Sequence, residues 1–520
     1  MPTTAYVEGL RKDIEEWWKC WTYQVVENWG WKKPLHLDEC WGYIRGYIDD
    51  YPTVVSNVNA AINRETNGER KTLEKLSRVF IMAVINDLLG SFSEKITTIK
   101  DGYKTHIGRK EYGINDLYGL AYSDDKELRK KKEDAFLPLQ EKLEPVFRER
   151  TTALNNIAKQ SGYKDLLSYE NHEFEIELFL IKENAQKILD STRSVYESLL
   201  LQFLEETLGI SRLDEFYQHD IGYFRKKFGT HEEDFPKEKA LNICKDTLRM
   251  MGINMEKRKG VTIDDEDRKE KRWGVMCFDK NNPDDIIIFI RQPSGGYQYY
   301  YSILHEYGGH VNYHSAISPS LPFESRYKLI ARDGILDEGI ARTMDSIREN
   351  KLWLSEVMKL DDEKIERLMK ENLFWDIGGL RYYSALGIFE IEALKDGLTT
   401  KELTKRFAKS LKQATLAQIR PEWKGYATKY EGDIIINPYY LLAEMFSAQT
   451  RGWLRESHGT RKHNGLDWFR NPETGKWLEE VFSLGFSVGA DEILQRYGIA
   501  KKISPEPLLR EIKERCEILI

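Results

Sequence analysis

The sequence predicts a mainly α-helical fold: two lobes around a deep central cleft, with one small β-sheet beside a helix that carries paired histidines. Three observations predict it. Apolar residues recur at helical spacing along most of the chain. One stretch alone, near residues 273–290, has the β-branched and aromatic composition of strands. The chain has 520 residues, 41% hydrophobic and 31% charged, enough for a large folded unit with a charged surface. The expected organisation is a single two-lobed unit over 1–520. Residues 1–130 form an N-terminal helical lobe or lid, and 131–520 a helical body with its core at about 270–460.

The elements follow in order. Apolar spacing predicts a helix from Tyr6 to Glu27, broken by Gly30 and Pro34. A second run, Leu37 to Ile48, ends before Pro52. A third, Lys71 to Phe92, places Val79, Ile81, Val84, Ile85 and Leu88 on an apolar face. The charged segment Asp124–Lys132 reads as a solvated helix start. Helices are expected over Phe136–Gln160, Glu183–Leu208 and Pro236–Met251, with no boundary at Ser191 or Thr192. The pattern then changes. Trp273–Phe278, the turn residues Asn281–Asp285 and Ile286–Ile290 predict a β-hairpin. Pro293-Ser294-Gly295-Gly296 ends it, and a helix from about Tyr297 carries the histidines. Helical spacing resumes after Pro322 and runs to about residue 418.

Charge and cysteines narrow the function. A net charge of −7 offers no basic surplus for phosphate neutralisation, so no nucleic-acid partner is expected. The five cysteines are scattered, odd in number and lack C-x-x-C spacing, which predicts free thiols in a reducing compartment. The stretch Met1–Glu8 has no basic or apolar signal region, and no uncharged apolar run reaches about 18 residues. A cytoplasmic chain without membrane contact is the expectation.

The chemistry is concentrated in His305-Glu306-Tyr307-Gly308-Gly309-His310. Two imidazoles and a carboxylate are what a catalytic zinc needs: neutral nitrogen ligands and a base beside the metal-bound water. In the familiar H-E-x-x-H motif the histidines are four apart. Here they are five apart, which in a regular α-helix points them roughly 140° apart. A π-type turn would bring them back to one face, and Gly308 and Gly309 lie where such a turn is tolerated. Glu338 is the expected third ligand. Asp345 follows it by seven residues on the same helix face and would orient a ligand histidine. Glu306 would be the general base. His314 reads as a packed or hydrogen-bonded histidine rather than a ligand. His172-Glu173 and His231-Glu232 have no second histidine in reach. Strand Ile286–Arg291 would offer a free edge to an extended substrate.

Several segments resemble zinc peptidases of the thimet oligopeptidase and oligopeptidase F family, with kin in the angiotensin-converting enzyme and carboxypeptidase Taq families. Arg150–Asp165 is similar to their helix and Gly-Tyr pattern. Ile303–His310 resembles their zinc helix with one residue added. Glu338–Asp345 resembles the carboxypeptidase Taq third-ligand helix, with its Arg at +4 and acid at +7. Tyr440–Ala448 is similar to a thimet-oligopeptidase segment preceded by an oxyanion-holding tyrosine, and Asn471–Leu478 and Ala490–Gly498 resemble the closing helices. The six-residue motif spacing is that of dipeptidyl peptidase III, which the rest of the chain does not resemble. The family histidine before Gly425-Tyr426 is absent; Pro421, Glu422, Trp423 and Lys424 stand there.

The resemblance implies one zinc per chain, held by His305, His310 and Glu338, and peptide substrates that are short or unfolded. It implies Tyr440, with Tyr426, as hydrogen-bond donors to the oxyanion. What reads as an insertion separates Tyr426 and Tyr430 from Tyr440. The expected activity is oligopeptidase-type endo-cleavage. The alternatives are a carboxypeptidase of the Taq type, with Arg342 or Arg420 receiving the terminal carboxylate, and an inactive peptide-binding homologue.

Overall fold

The computed structural model describes residues 4–65, 69–229, 231–395, 397–430 and 435–520. The described chain is mainly helical, with five strands in two small sheets. It divides into two compact units, each built from separate stretches. The first comprises residues 1–84, 230–369 and 442–511; the second comprises 85–229, 370–441 and 512–520. The division therefore falls elsewhere than the expected boundary near residue 130. Each unit is assembled from stretches far apart in sequence, which local periodicity does not register.

In the first unit, helix α1 (Thr4–Trp31) buries Val7, Leu10, Ile14 and Trp17, one face at helical spacing. It ends where Lys32 takes a positive φ of 51°, two residues before Pro34. Val26 and Trp29 of α1 pack with Phe278, Ile287 and Phe289 of the sheet. Gly30 is required there, because an added Cβ would lie 2.6 Å from the Phe289 ring. Cys20 and Cys40 form a disulfide that ties α1 to the short helix Leu37–Trp41. This corrects the expectation of five free thiols; Cys244, Cys277 and Cys516 remain free.

The expected hairpin is present, and so is a third strand. Strands β3 (Val261–Asp264), β4 (Gly274–Asn281) and β5 (Asp285–Arg291) form a sheet of order β3-β5-β4. Strand β5 runs antiparallel to β4, with Cys277 opposite Ile288, and parallel to β3, with Ile263 opposite Ile288. The expected free edge on β5 is thereby corrected: a strand paired on both sides has none. Its buried run Ile286–Ile290 is what a central strand requires. Among the described residues β4 pairs with β5 alone.

In the second unit, Asp125 caps helix Lys126–Gln160 by accepting from Leu128 N, so the charged segment is a helix start. The core gathers Phe136, Leu139, Leu143 and Phe147 with Phe389, Phe407, Tyr426 and Tyr430. Strands β1 (Lys104–Ile107) and β2 (Lys110–Gly113) form a second, two-stranded sheet that the sequence reading missed. Helix Arg70–Asp101 holds an 18-residue window apolar enough to cross a membrane by length and composition. Of that window 56% is buried inside the protein, as in a core helix.

Candidate metal centre

The histidine helix begins as α-helix at Tyr297–Ile303, becomes π-helix over Leu304–Val311 and returns to α over Asn312–His314. Hydrogen bonds from i to i+5 absorb the extra residue. They bring the His305 and His310 rings to a centroid distance of 4.9 Å. Gly309 has a second role. A Cβ there would lie 2.5 Å from Ala341 Cα, so only glycine lets the carboxylate helix Ala331–Asp345 cross so closely. Gly308 is less confined, its virtual Cβ being 3.3 Å from Cys244 Sγ. Gly339 likewise admits Phe446, whose Cδ1 would meet a Cβ at 2.5 Å. Asp333 anchors the start of the carboxylate helix by accepting from Leu329 N and Ile330 N. Buried Lys75 pairs with the same carboxylate at 2.8 Å.

The two helices bring together His305, Glu306, His310, Glu338 and Asp345. Oε2 of Glu338 lies 3.5 Å from His305 Nε2 and 3.7 Å from His310 Nε2. A tetrahedral metal with ligand bonds of roughly 2.0–2.2 Å separates its ligand atoms by about 3.3–3.6 Å. Two of the three separations such a set requires, 3.5 and 3.7 Å, are close to that range. His305, Glu306 and His310 also offer ligand atoms within 4.8 Å of one another.

The remaining nitrogens are held from behind. Nδ1 of His305 bonds Asp345 Oδ2 at 2.8 Å, and Nδ1 of His310 bonds Asp337 Oδ1 at 3.0 Å. Each carboxylate fixes its ring so that Nε2 faces inward, the arrangement typical of metal-binding histidines. Asp337 is the partner the sequence reading missed. It is buried, also accepts from His314 Nε2 at 2.9 Å and pairs with Lys328 at 2.8 Å. His314 is completed by Asp279 at 3.2 Å and Asn282 at 3.1 Å, which makes it a hydrogen-bonded residue behind the site. His310, His314 and Asp337 form a second group with metal-ligand spacing. Its shared Asp337 oxygen already receives both rings.

The electrostatics favour a cation. Burial opposes charge on His305, but Glu338 and then Asp345 outweigh it and raise its pKa to about 10. His310 is raised too, with Asp337 overcoming burial. Burial works against the Glu338 carboxylate, yet His305, His310 and Arg342 hold its pKa well below the ordinary value.

Glu306 is half-buried and points at the sheet, accepting from Cys277 N at 2.8 Å. That N–H is turned away from the β5 ladder. Tyr426 and Tyr440 belong to the second unit. Tyr426 is 0% exposed and packs on Phe147, Phe389 and Phe407. A hydroxyl so enclosed touches no substrate, so its expected oxyanion role is corrected to core packing. Tyr440 is half-buried, its ring stacked on Tyr383 at 5.3 Å. Residues 431–434, within the expected insertion, lie outside the described residues.

No protein-family model matches this chain, and no curated protein matches it. The chemistry of the site rests on its own geometry.

Proposed function

We propose that the chain is a zinc-dependent hydrolase of peptide bonds, acting on short or unfolded peptides. The observation that carries this reading is the convergence of both Nε2 atoms on Glu338 Oε2 while Asp345 and Asp337 hold both Nδ1 atoms. His305, His310 and Glu338 would hold one zinc. When bound, such a zinc lowers the pKa of its water towards about 7 and polarises a carbonyl.

Glu306 would act as the base. It takes a proton from the attacking water and returns it to the departing amine, which leaves a carboxylic acid and an amine. Its hydrogen bond from Cys277 N keeps the carboxylate at the free edge of β4. The outer edge of β4, rather than β5, is the edge suited to pair with an extended peptide.

Endo-cleavage is favoured over carboxypeptidase action, because both arginines suited to a terminal carboxylate are engaged. Arg342 binds Glu338 and Glu444, and Arg420 binds Asp134 at 2.6 Å.

The test combines metal analysis with mass spectrometry of a mixed peptide pool. Wild type should hold one zinc and cut internally. Glu306→Gln should keep the zinc and lose about 10²–10⁴-fold in rate. Absence of stoichiometric divalent metal after zinc loading defeats the proposal. Release of single C-terminal residues turns it to a carboxypeptidase, and peptide binding without cleavage to an inactive homologue.

A further inference from the structure

We infer that Arg342 is a positioning residue for the metal centre: it fixes Glu338 as a single-oxygen ligand and, through Tyr301, holds the plane of His305. This deepens the proposed metal site and rests on it.

Arg342 sits one helical turn after Glu338 and is largely buried, with 15% of its side chain exposed. Its Nε donates to Glu338 Oε1 at 2.9 Å. That bond occupies the oxygen that does not face the histidines and leaves Oε2 directed at both Nε2 atoms. A carboxylate free to rotate can bind a metal through both oxygens; one tethered in this way presents only one. The same guanidinium donates from Nη1 to the Tyr301 hydroxyl at 2.6 Å. The Tyr301 ring lies on His305, 25° from parallel at a centroid distance of 5.5 Å. Nη1 is also 4.0 Å from Asp345 Oδ2, the group that holds His305 Nδ1.

One side chain thus bonds the anionic ligand and the Tyr301 support of His305, and lies near the other support, Asp345. Glu444 Oε1 lies 3.3 Å from the same Nε and adds a second carboxylate to the guanidinium. The planar fork of arginine serves divergent acceptors at fixed angles, whereas a lysine ammonium is a point charge on a flexible stem. A role limited to charge balance would accept lysine. A positioning role would not.

The experiment uses the full chain stripped of metal and titrated with cobalt(II) against a competing chelator, with the visible spectrum recorded. Arg342→Lys should weaken cobalt binding by about 10–100-fold. It should also lower the intensity of the cobalt bands, as coordination rises when Glu338 binds through both oxygens. Tyr301→Phe removes one hydroxyl and should move affinity in the same direction by a smaller factor. It carries the test if Arg342→Lys does not fold. Affinity and spectrum equal to wild type in the folded variants overturn the inference. Failure of wild type to take up cobalt or zinc overturns the metal site itself, and is seen in the wild-type titration alone.

Discussion

Two buried glutamates, one in each unit, show opposite designs. Glu338 in the first unit is surrounded by His305, His310 and Arg342, which hold its pKa well below the ordinary range despite burial. Glu390 in the second unit is 0% exposed, and burial pushes its pKa up to about 7. Its partners are neutral donors: the Tyr430 hydroxyl, and the amides of Ile436 N at 3.0 Å, Asn437 N at 2.8 Å and the Asn437 side chain. Burial is common to both, so burial does not mark the candidate metal site. The partners do. Imidazoles and a guanidinium around a carboxylate make a place for a cation, whereas amide donors make a clamp on the backbone ahead of helix Asn437–Ser457.

The largest effect that would separate the two is loss of metal. Glu338→Gln should abolish stoichiometric zinc binding, a loss beyond the roughly 10–100-fold that removal of an outer partner costs. Glu390→Gln should leave zinc content at wild-type level. Equal zinc in both variants would erase the distinction. Next comes the helix crossing that brings Glu338 to the histidines. Gly309→Ala places a Cβ 2.5 Å from backbone, where nothing flexible yields. Zinc affinity should fall on the order of 100-fold, since displacing a ligand by about 1 Å is that costly. Gly308→Ala meets only Cys244 Sγ at 3.3 Å and should cost much less. A chelator titration of both variants reads the difference. Equal losses would show that the π turn, and not the crossing, makes the glycines necessary.

The same contrast explains what the sequence disclosed. His305, Glu306 and His310 lie within six residues, and Glu338 and Asp345 lie seven apart on one helix, so local geometry exposed them. The π turn followed from five-residue spacing and two glycines. Asp337 was overlooked although a signal existed. A metal-binding histidine needs a partner for its second nitrogen, and Asp345 can serve only one of the two candidate rings. Asp279, Asn282 and Lys328 reach the site from a strand, a turn and a loop, and tertiary folding alone brings them there. Strand β3 is only four residues, Val261–Asp264, and its pairing with β5 moved the sheet edge to β4. The β1–β2 hairpin carries no buried run beyond Tyr112, so its sequence looks like a charged loop. Cys20 and Cys40 pair across a helix end, a proximity their spacing does not reveal. Tyr426 was placed by resemblance rather than by residue chemistry, and its surroundings are those of a core residue.

The smallest expected effect concerns the pH dependence that Glu390 alone should confer. Its carboxyl titrates near 4.5 in an unfolded chain and at about 7 when folded. Between those values the folded state keeps a proton that the unfolded state has lost. Stability from this group is therefore full below about pH 4.5 and is lost as pH rises through about 7. The span is worth on the order of 3 kcal/mol at most. Glu390→Gln cannot ionise, yet its amide oxygen can still receive the two backbone N–H groups. Chemical denaturation at pH 5 and pH 7, followed by a probe in the second unit, should show wild type losing more stability than the variant. Glu338 has a depressed pKa, so its contribution runs the other way, present above about pH 4.5 and lost on acidification. Parallel loss in wild type and Glu390→Gln would mean that the buried carboxyl keeps an ordinary pKa. It would then be a charged clamp, stabilised by its amide donors as Glu338 is by its cations.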